Sequence, residues 1–120
     1  MRIREFAQKM NMKVLTGDQG LEKEIKGFYA CDLLSWVMSH ASQGEAWITV
    51  HTHLNIVAVA VLVETGCLII PEGIAVEEAT LKKAMEENVA ILSTGMSAYE
   101  VCWRGHELLE KGELKMENGE

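Results

Sequence analysis

Short apolar runs typical of β-strands alternate along this chain with stretches in which apolar residues recur at helical spacing. Strands are predicted at residues 12–15, 25–30, 46–50, 67–70 and 90–92, and helices at residues 1–10, 33–41, 55–64, 76–88 and 97–109. The alternation favours a layered α/β fold, a largely parallel sheet with flanking helices, over an all-β or all-helical domain, because a helix can carry the chain from one parallel strand to the next.

Residues 55–64 are compatible with two structures. The run Asn-Ile-Val-Ala-Val-Ala-Val-Leu-Val-Glu contains the β-branched residues that favour a strand, but its length of ten suits a helix that is apolar on all sides. We predict a buried helix, and a strand is the alternative.

Local signals mark the starts of three helices. Asp32 is predicted as the N-cap of the second helix. The side chains of Thr52, His53 and Asn55 can cap the start of the third helix or hold an anion there, and capping alone is the preferred explanation. Ser97 and Glu100 have the spacing of a capping box before the last helix. In the helix at residues 76–88, the spacing predicts that Leu81, Ala84 and Met85 face inward.

The overall composition predicts a cytoplasmic protein with one domain, residues 1–110, and a flexible acidic tail, residues 111–120. Its net charge of −7 argues against nucleic acid and anionic membrane surfaces as partners. No stretch approaches the ~20 apolar residues of a membrane span, and the first residues do not resemble a signal peptide. The three cysteines form no Cys-x-x-Cys pair and are expected to be buried and reduced.

The motifs of familiar catalytic sites are missing from the sequence. It contains no phosphate-binding loop with its lysine, no Gly-x-Gly-x-x-Gly and no Gly-x-Ser-x-Gly, so we expect no catalytic residues and no cofactor. His51 and His53 would point to one side of an extended segment and could bind a metal. Glu45, Asp32, Glu72 or Cys67 could supply a third ligand, but none has a diagnostic spacing, so chance and core packing are the preferred explanation.

Glycines and small polar residues follow several predicted strands, where the loops of α/β sheets collect ligands. Gly17, Gly73 and Gly95 each follow a strand, although turns alone could require them. We predict that a small anionic metabolite or nucleotide binds near these loops. The predicted ligand-binding residues are Thr52, His53, Asn55, Gly73, Ser93, Thr94 and Gly95.

Three segments together resemble the DRTGG domain family: Ile-Lys-Gly-Phe-Tyr-Ala-Cys-Asp-Leu-Leu-Ser-Trp-Val-Met at residues 25–38, Ala-Trp-Ile-Thr-Val-His-Thr-His-Leu-Asn-Ile-Val-Ala-Val-Ala at 46–60, and Cys-Leu-Ile-Ile-Pro-Glu-Gly at 67–73. The similarity extends over residues 3–109, and the family is similar to the N-terminal domain of HPr kinase/phosphorylase. The family's Asp-Arg would fall at Thr52-His53 and its Thr-Gly-Gly at residues 71–73, where Gly73 alone matches.

The resemblance implies an HPr kinase N-terminal-domain-like layered fold and supports a helix at residues 55–64. It also implies a regulatory or dimerising role without catalytic activity of its own. We therefore expect a regulatory domain, forming a homodimer, that binds a small anionic metabolite or nucleotide. One alternative is a protein-interaction module that docks on a separate enzyme, and another is a metal-binding protein that uses His51 and His53.

Overall fold

All ten predicted helices and strands are present, in the predicted order, in a computed structural model that describes the backbone of residues 1–117 and the side chains of residues 1–112. The helices are α1 (Ile3–Lys9), α2 (Leu34–His40), α3 (Asn55–Leu62), α4 (Glu78–Glu86) and α5 (Ala98–Glu117). The strands are β1 (Lys13–Val14), β2 (Gly27–Ala30), β3 (Glu45–Ile48), β4 (Cys67–Ile70) and β5 (Ile91–Ser93).

The five strands form one sheet in the order β1-β5-β4-β3-β2. The strands β2, β3, β4 and β5 are parallel, as predicted, and β1 pairs antiparallel with β5 at one edge. Each parallel pair is joined by a helix, since two parallel neighbours cannot be connected by a tight turn. The prediction of a mixed α/β fold with a largely parallel sheet is confirmed.

Helices cover both faces of the sheet. Trp47, Leu68 and Ile91 point into a core that α2, α3 and α4 close, whereas Ile48 and Leu92 point into a second core with residues of α1 and α5. All of these side chains are almost fully buried. Strands covered on both faces are apolar without interruption, which is why β4 consists of four consecutive buried residues.

The ambiguous segment at residues 55–64 is a helix, as predicted, but it is only partly buried. Ile56, Val57 and Ala60 pack against the sheet, whereas Leu54 and Leu62 are largely exposed. The helix is required by the topology, because the segment must carry the chain from β3 to its parallel neighbour β4.

Three local predictions are wrong. Leu33 rather than Asp32 occupies the cap position of α2, and Leu54 rather than Asn55 occupies that of α3, with no capping side-chain bond at either position. Met85 is 40% exposed, because the inward stripe of α4 is centred on Thr80 and Ala84.

The last helix begins as predicted and ends later. The Ser97 hydroxyl accepts a hydrogen bond from the Glu100 amide at 3.2 Å, but the Glu100 carboxylate lies 3.7 Å from Arg104, so the capping box is half present. The helix α5 continues to Glu117, past the predicted end at residue 109. The predicted tail therefore begins within a helix, and residues 118–120 lie outside the described residues. Within the described part of the chain, no helix combines the length and apolarity needed to cross a membrane.

Candidate functional site

The carboxyl ends of β2, β3, β4 and β5 meet along one edge of the sheet, here called the carboxyl edge. Four loops lie there, at residues 31–33, 49–54, 71–77 and 94–97. The seven predicted ligand-binding residues all belong to these loops or to the adjoining ends of β5 and α3. Their role in ligand binding stays a prediction.

The loops after β4 and β5 are joined by backbone hydrogen bonds. The Gly73 amide donates to the Thr94 carbonyl, and the Glu72 amide donates to the Met96 carbonyl, both at 2.9 Å. Gly73 has φ of +67°, a conformation that residues with a Cβ rarely adopt. The structure therefore brings Gly73 and Thr94 together, but the Gly73 amide already has a partner within the protein.

The loop after β3 is joined to the end of β2 by Asp32. Its Oδ1 atom accepts hydrogen bonds from the Thr49 hydroxyl at 2.8 Å and from the Val50 amide at 2.9 Å. The Nε2–H group of His51 donates to the Asp32 carbonyl at 2.5 Å. The Thr49 amide still donates to the Ile69 carbonyl of β4 at 3.2 Å, whereas the Val50 amide bonds to Asp32. The strand β3 ends at Ile48, two residues before the predicted end at residue 50.

His53 takes part in the start of α3. Its Nδ1 atom accepts a hydrogen bond from the Asn55 amide at 3.2 Å, so the imidazole caps the helix start, which is one of the two roles predicted for Thr52, His53 and Asn55. The neighbouring Thr52 carbonyl accepts a bond at 2.6 Å from the hydroxyl of Thr80, a buried residue of α4. The residues Thr52 and His53 are thus tied to α3 and α4, on the face of the sheet that these helices cover.

His51 and His53 have different partners, since the first bonds to the end of β2 and the second to the start of α3. Two of the suggested third ligands, Glu45 and Cys67, lie at the opposite end of the sheet. Among the described residues, no group of three or more His, Cys, Asp or Glu side chains could hold a metal ion.

The carboxyl edge contains no Lys or Arg in any of its four loops. An anion there would depend on backbone amides and on the imidazoles of His51 and His53. No side chain caps the N-terminus of α4 at the same edge, but Glu77 and Glu78 place two carboxylates there, and these oppose the binding of an anion at this helix end. A small cavity of about 130 Å³ opens at the same edge between Asp32, Thr49, Pro71 and Ala98, beside the start of α5.

A larger cavity of about 470 Å³ lies at the opposite edge of the sheet, where the sequence analysis placed no site. Lys23, Lys26, Glu64 and Glu87 line it together with Thr65. The Lys23 ammonium donates to the Asn88 carbonyl at 2.7 Å, and burial lowers the pKa of this lysine. The sequence held no signal for this cavity, because its lining residues come from four segments separated by up to 66 positions.

The cysteine thiols differ in burial. Cys67 is completely buried, and this burial raises the pKa of its thiol to about 12, while burial also raises the pKa of Cys102. Both sulfurs are therefore protonated at neutral pH and poorly nucleophilic. Cys67 is buried as predicted, whereas Cys31 and Cys102 are partly exposed.

Comparison with known proteins finds similarity in structure and none in sequence. No family model matches the chain, and neither does a curated protein. A solved structure of the CBS and DRTGG domains of the regulatory region of Clostridium perfringens pyrophosphatase, complexed with the activator diadenosine tetraphosphate, aligns with a TM-score of 0.67 and 11% identity. The alignment covers 82% of this chain and 43% of the other. At this identity the likeness shows a shared fold, and it supports a DRTGG-like fold for this chain.

Proposed function

We propose that this chain is a non-catalytic regulatory domain that binds a small anionic metabolite or nucleotide at its carboxyl edge. The observation that carries the proposal is the convergence of the seven predicted residues on this edge. Ligands of open α/β sheets bind outside the carboxyl ends of the strands, where loop amides and helix N-termini face the solvent.

The structural likeness supports the choice of ligand class. The solved regulatory region carries a nucleotide activator, and this chain corresponds to 43% of that protein's chain. The proposal also includes an HPr kinase N-terminal-domain-like arrangement, a homodimer and a cytoplasmic location. It places one domain at residues 1–110, followed by a flexible tail.

Thermal unfolding with and without ligand tests the proposal. The probes are diadenosine tetraphosphate, ATP, AMP and inorganic phosphate, each at about 1 mM. A ligand that binds only the folded state adds RT ln(1 + [L]/Kd) to its stability and raises the Tm. We expect a higher Tm with at least one nucleotide, and no rise with any probe would overturn ligand binding.

Two substitutions that add the same charge locate the bound ligand. A Cβ atom at Gly95 would meet nothing within 4 Å, so Gly95→Glu places a carboxylate at the carboxyl edge without a clash. Gln19→Glu adds the same charge at an exposed position in the loop that precedes β2. We expect Gly95→Glu to weaken anion binding roughly tenfold and Gln19→Glu to leave it unchanged. Equal binding by both variants would place the ligand elsewhere, with the 470 Å³ cavity the next site to examine.

A protein-interaction module is the second candidate function. The observation that favours it is the exposure of large apolar side chains on α2 and α3, among them Trp36 and Leu62. Under this proposal no metabolite changes the Tm, and a separate enzyme from the same cell co-purifies with the wild-type chain but not with Leu62→Glu.

A further inference from the structure

The exposed apolar side chains of α2 and α3 lie on two helices that pack side by side on the sheet. We call this region the α2–α3 surface. Its large side chains are between 42% and 66% exposed: Leu33, Trp36, Met38, Leu54, Val61 and Leu62. Exposed large apolar side chains that are concentrated on two adjacent helices mark an interaction site, whereas singly scattered ones are ordinary on a protein surface.

The outer face of α3 has one polar residue, Asn55 in the first turn, and is otherwise apolar. Leu54, Ala58, Val61 and Leu62 have the spacing i, i+4, i+7 and i+8, which places them on one face, opposite the buried Ile56 and Ala60. A helix that is apolar on all sides is normally buried on all sides. The free chain leaves half of α3 in water, so a further surface is needed to cover it.

Trp36 on α2 has the properties of an interface anchor. Its ring stacks on the His40 ring with 3.8 Å between centroids and 11° between planes. This contact already restricts the rotamer of a side chain that is 51% exposed. An exposed, pre-ordered tryptophan loses little entropy on binding, and tryptophan is enriched among the residues that dominate interface energies.

Charge favours a second copy of this chain over other occupants. Glu45 is the only Asp, Glu, Lys or Arg between residues 33 and 63, although the chain as a whole carries −7. Two copies repel each other through most of their surfaces, but they can approach through α2 and α3 without opposing like charges. An uncharged apolar surface is also complementary to itself, which a two-fold interface requires.

We infer that two copies of this chain associate through their α2–α3 surfaces, with Trp36 and the outer face of α3 at the centre. The inference rests on the homodimer in the proposed function and names its surface, and it is independent of ligand binding.

Sedimentation velocity of the full chain without ligand, over a range of concentrations, tests the inference. We expect wild-type protein to sediment as a dimer of the 13.4 kDa chain. Leu62→Glu should be a monomer, with a dimer dissociation constant raised roughly 100-fold or more, because two-fold symmetry places the new carboxylate in the interface twice. Circular dichroism should show that this variant is folded, since Leu62 points away from the core.

Tyr99→Glu is the matched control. Tyr99 is 77% exposed on α5, on the other face of the sheet, so this variant gains the same charge and should stay a dimer. A folded Leu62→Glu variant that remains a dimer would overturn the assigned surface. Wild-type protein that sediments as a monomer would overturn dimerisation itself. The nucleotide-dependent rise in Tm is a separate measurement, and its outcome does not depend on this result. Binding of the wild-type monomer to neutral phosphatidylcholine vesicles would also contradict the inference.

Discussion

The Asp32 carboxylate connects the end of β2 to the loop after β3, because its Oδ1 atom accepts two hydrogen bonds from the start of that loop. The Thr49 hydroxyl is one of the two donors, and Thr49 is only 1% exposed. A buried hydroxyl without an acceptor loses the hydrogen bond that it would make to water. The position of the loop at residues 49–54, and with it the positions of Thr52 and His53, therefore depends on this carboxylate.

Replacement of Asp32 measures this dependence. We expect Asp32→Ala to lower the free energy of unfolding by about 1–3 kcal/mol, because the Thr49 hydroxyl and the Val50 amide lose their acceptor. Asp32→Asn keeps an oxygen at the Oδ1 position and should lose less than about 1 kcal/mol. Urea denaturation of the two variants checks the prediction, and equal stability of Asp32→Ala and wild type would contradict it.

The packing of α5 on the edge strand β2 depends on a glycine inside the helix. A Cβ atom at Gly105 would lie 2.4 Å from Cζ and 2.7 Å from Cε1 of the Phe28 ring, far inside van der Waals contact. Glycine normally weakens a helix relative to alanine. Here it allows the helix to approach β2 closely enough for the Phe28 ring to fill the space between them, where it also contacts Phe6.

Two glycine-to-alanine substitutions in α5 separate helix propensity from packing. Gly105→Ala should lower the free energy of unfolding by roughly 1–2 kcal/mol, because the clash with Phe28 outweighs the gain in helix propensity. A Cβ atom at Gly112 would have its nearest neighbour, Met1 Cε, at 3.8 Å, so Gly112→Ala should be neutral or stabilising by up to about 1 kcal/mol. Thermal unfolding of both variants tests this, and a Gly105→Ala protein as stable as Gly112→Ala would show that the ring moves aside without cost.

In the molecule as a whole, ion pairs join the first residues to the segment before β2. The N-terminal amine lies 2.8 Å from a carboxylate oxygen of Glu24, and Arg4 lies 2.7 Å from Glu22. Hydrogen bonds from Arg4 and Arg2 hold the pKa of Glu22 below its ordinary value of 4.5. The N-terminal amine has the same effect on the pKa of Glu24. These ion pairs connect α1 and the residue before it to the segment before β2, and α1 packs on the second core.

The two lowered pKa values make part of the stability depend on pH. A carboxyl group whose pKa is lower in the folded state stabilises the protein above its unfolded pKa, and this contribution disappears as the pH falls through the folded pKa. We expect Arg4→Gln to lower the Tm at pH 7 and to approach wild type as the pH falls through the folded pKa of Glu22, because protonation of this carboxyl group removes its ion pair with Arg4. Lys82→Gln, on the exposed side of α4, removes the same charge and serves as the control. A difference between Arg4→Gln and wild type that persists undiminished at low pH would contradict the ion-pair explanation.

The type and order of the elements could be predicted from the sequence because these depend on periodicity and on neighbours within a few residues. The apolar run at residues 67–70 and the Ser97 cap are examples of such local signals. The grouping of Gly73 and Thr94 at one edge of the sheet could also be predicted from the sequence, since it requires only parallel strands joined by helices. The capping role predicted for Asp32 was wrong, because the capping rule considers only adjacent residues and the Asp32 partners are 17 and 18 positions away in the chain.

Tertiary structure decided which surfaces are exposed to solvent. The sequence of residues 55–64 favoured an apolar helix over a strand, but only the packed structure shows that half of this helix faces the solvent. Likewise, Lys23 and Glu64 line a cavity because the fold places distant segments side by side. The sequence by itself determined the local conformations and their order, since these follow from short-range sterics and hydrogen bonding. Burial, cavities and exposed faces depend on contacts between residues far apart in the chain, and these contacts exist only after the chain has folded.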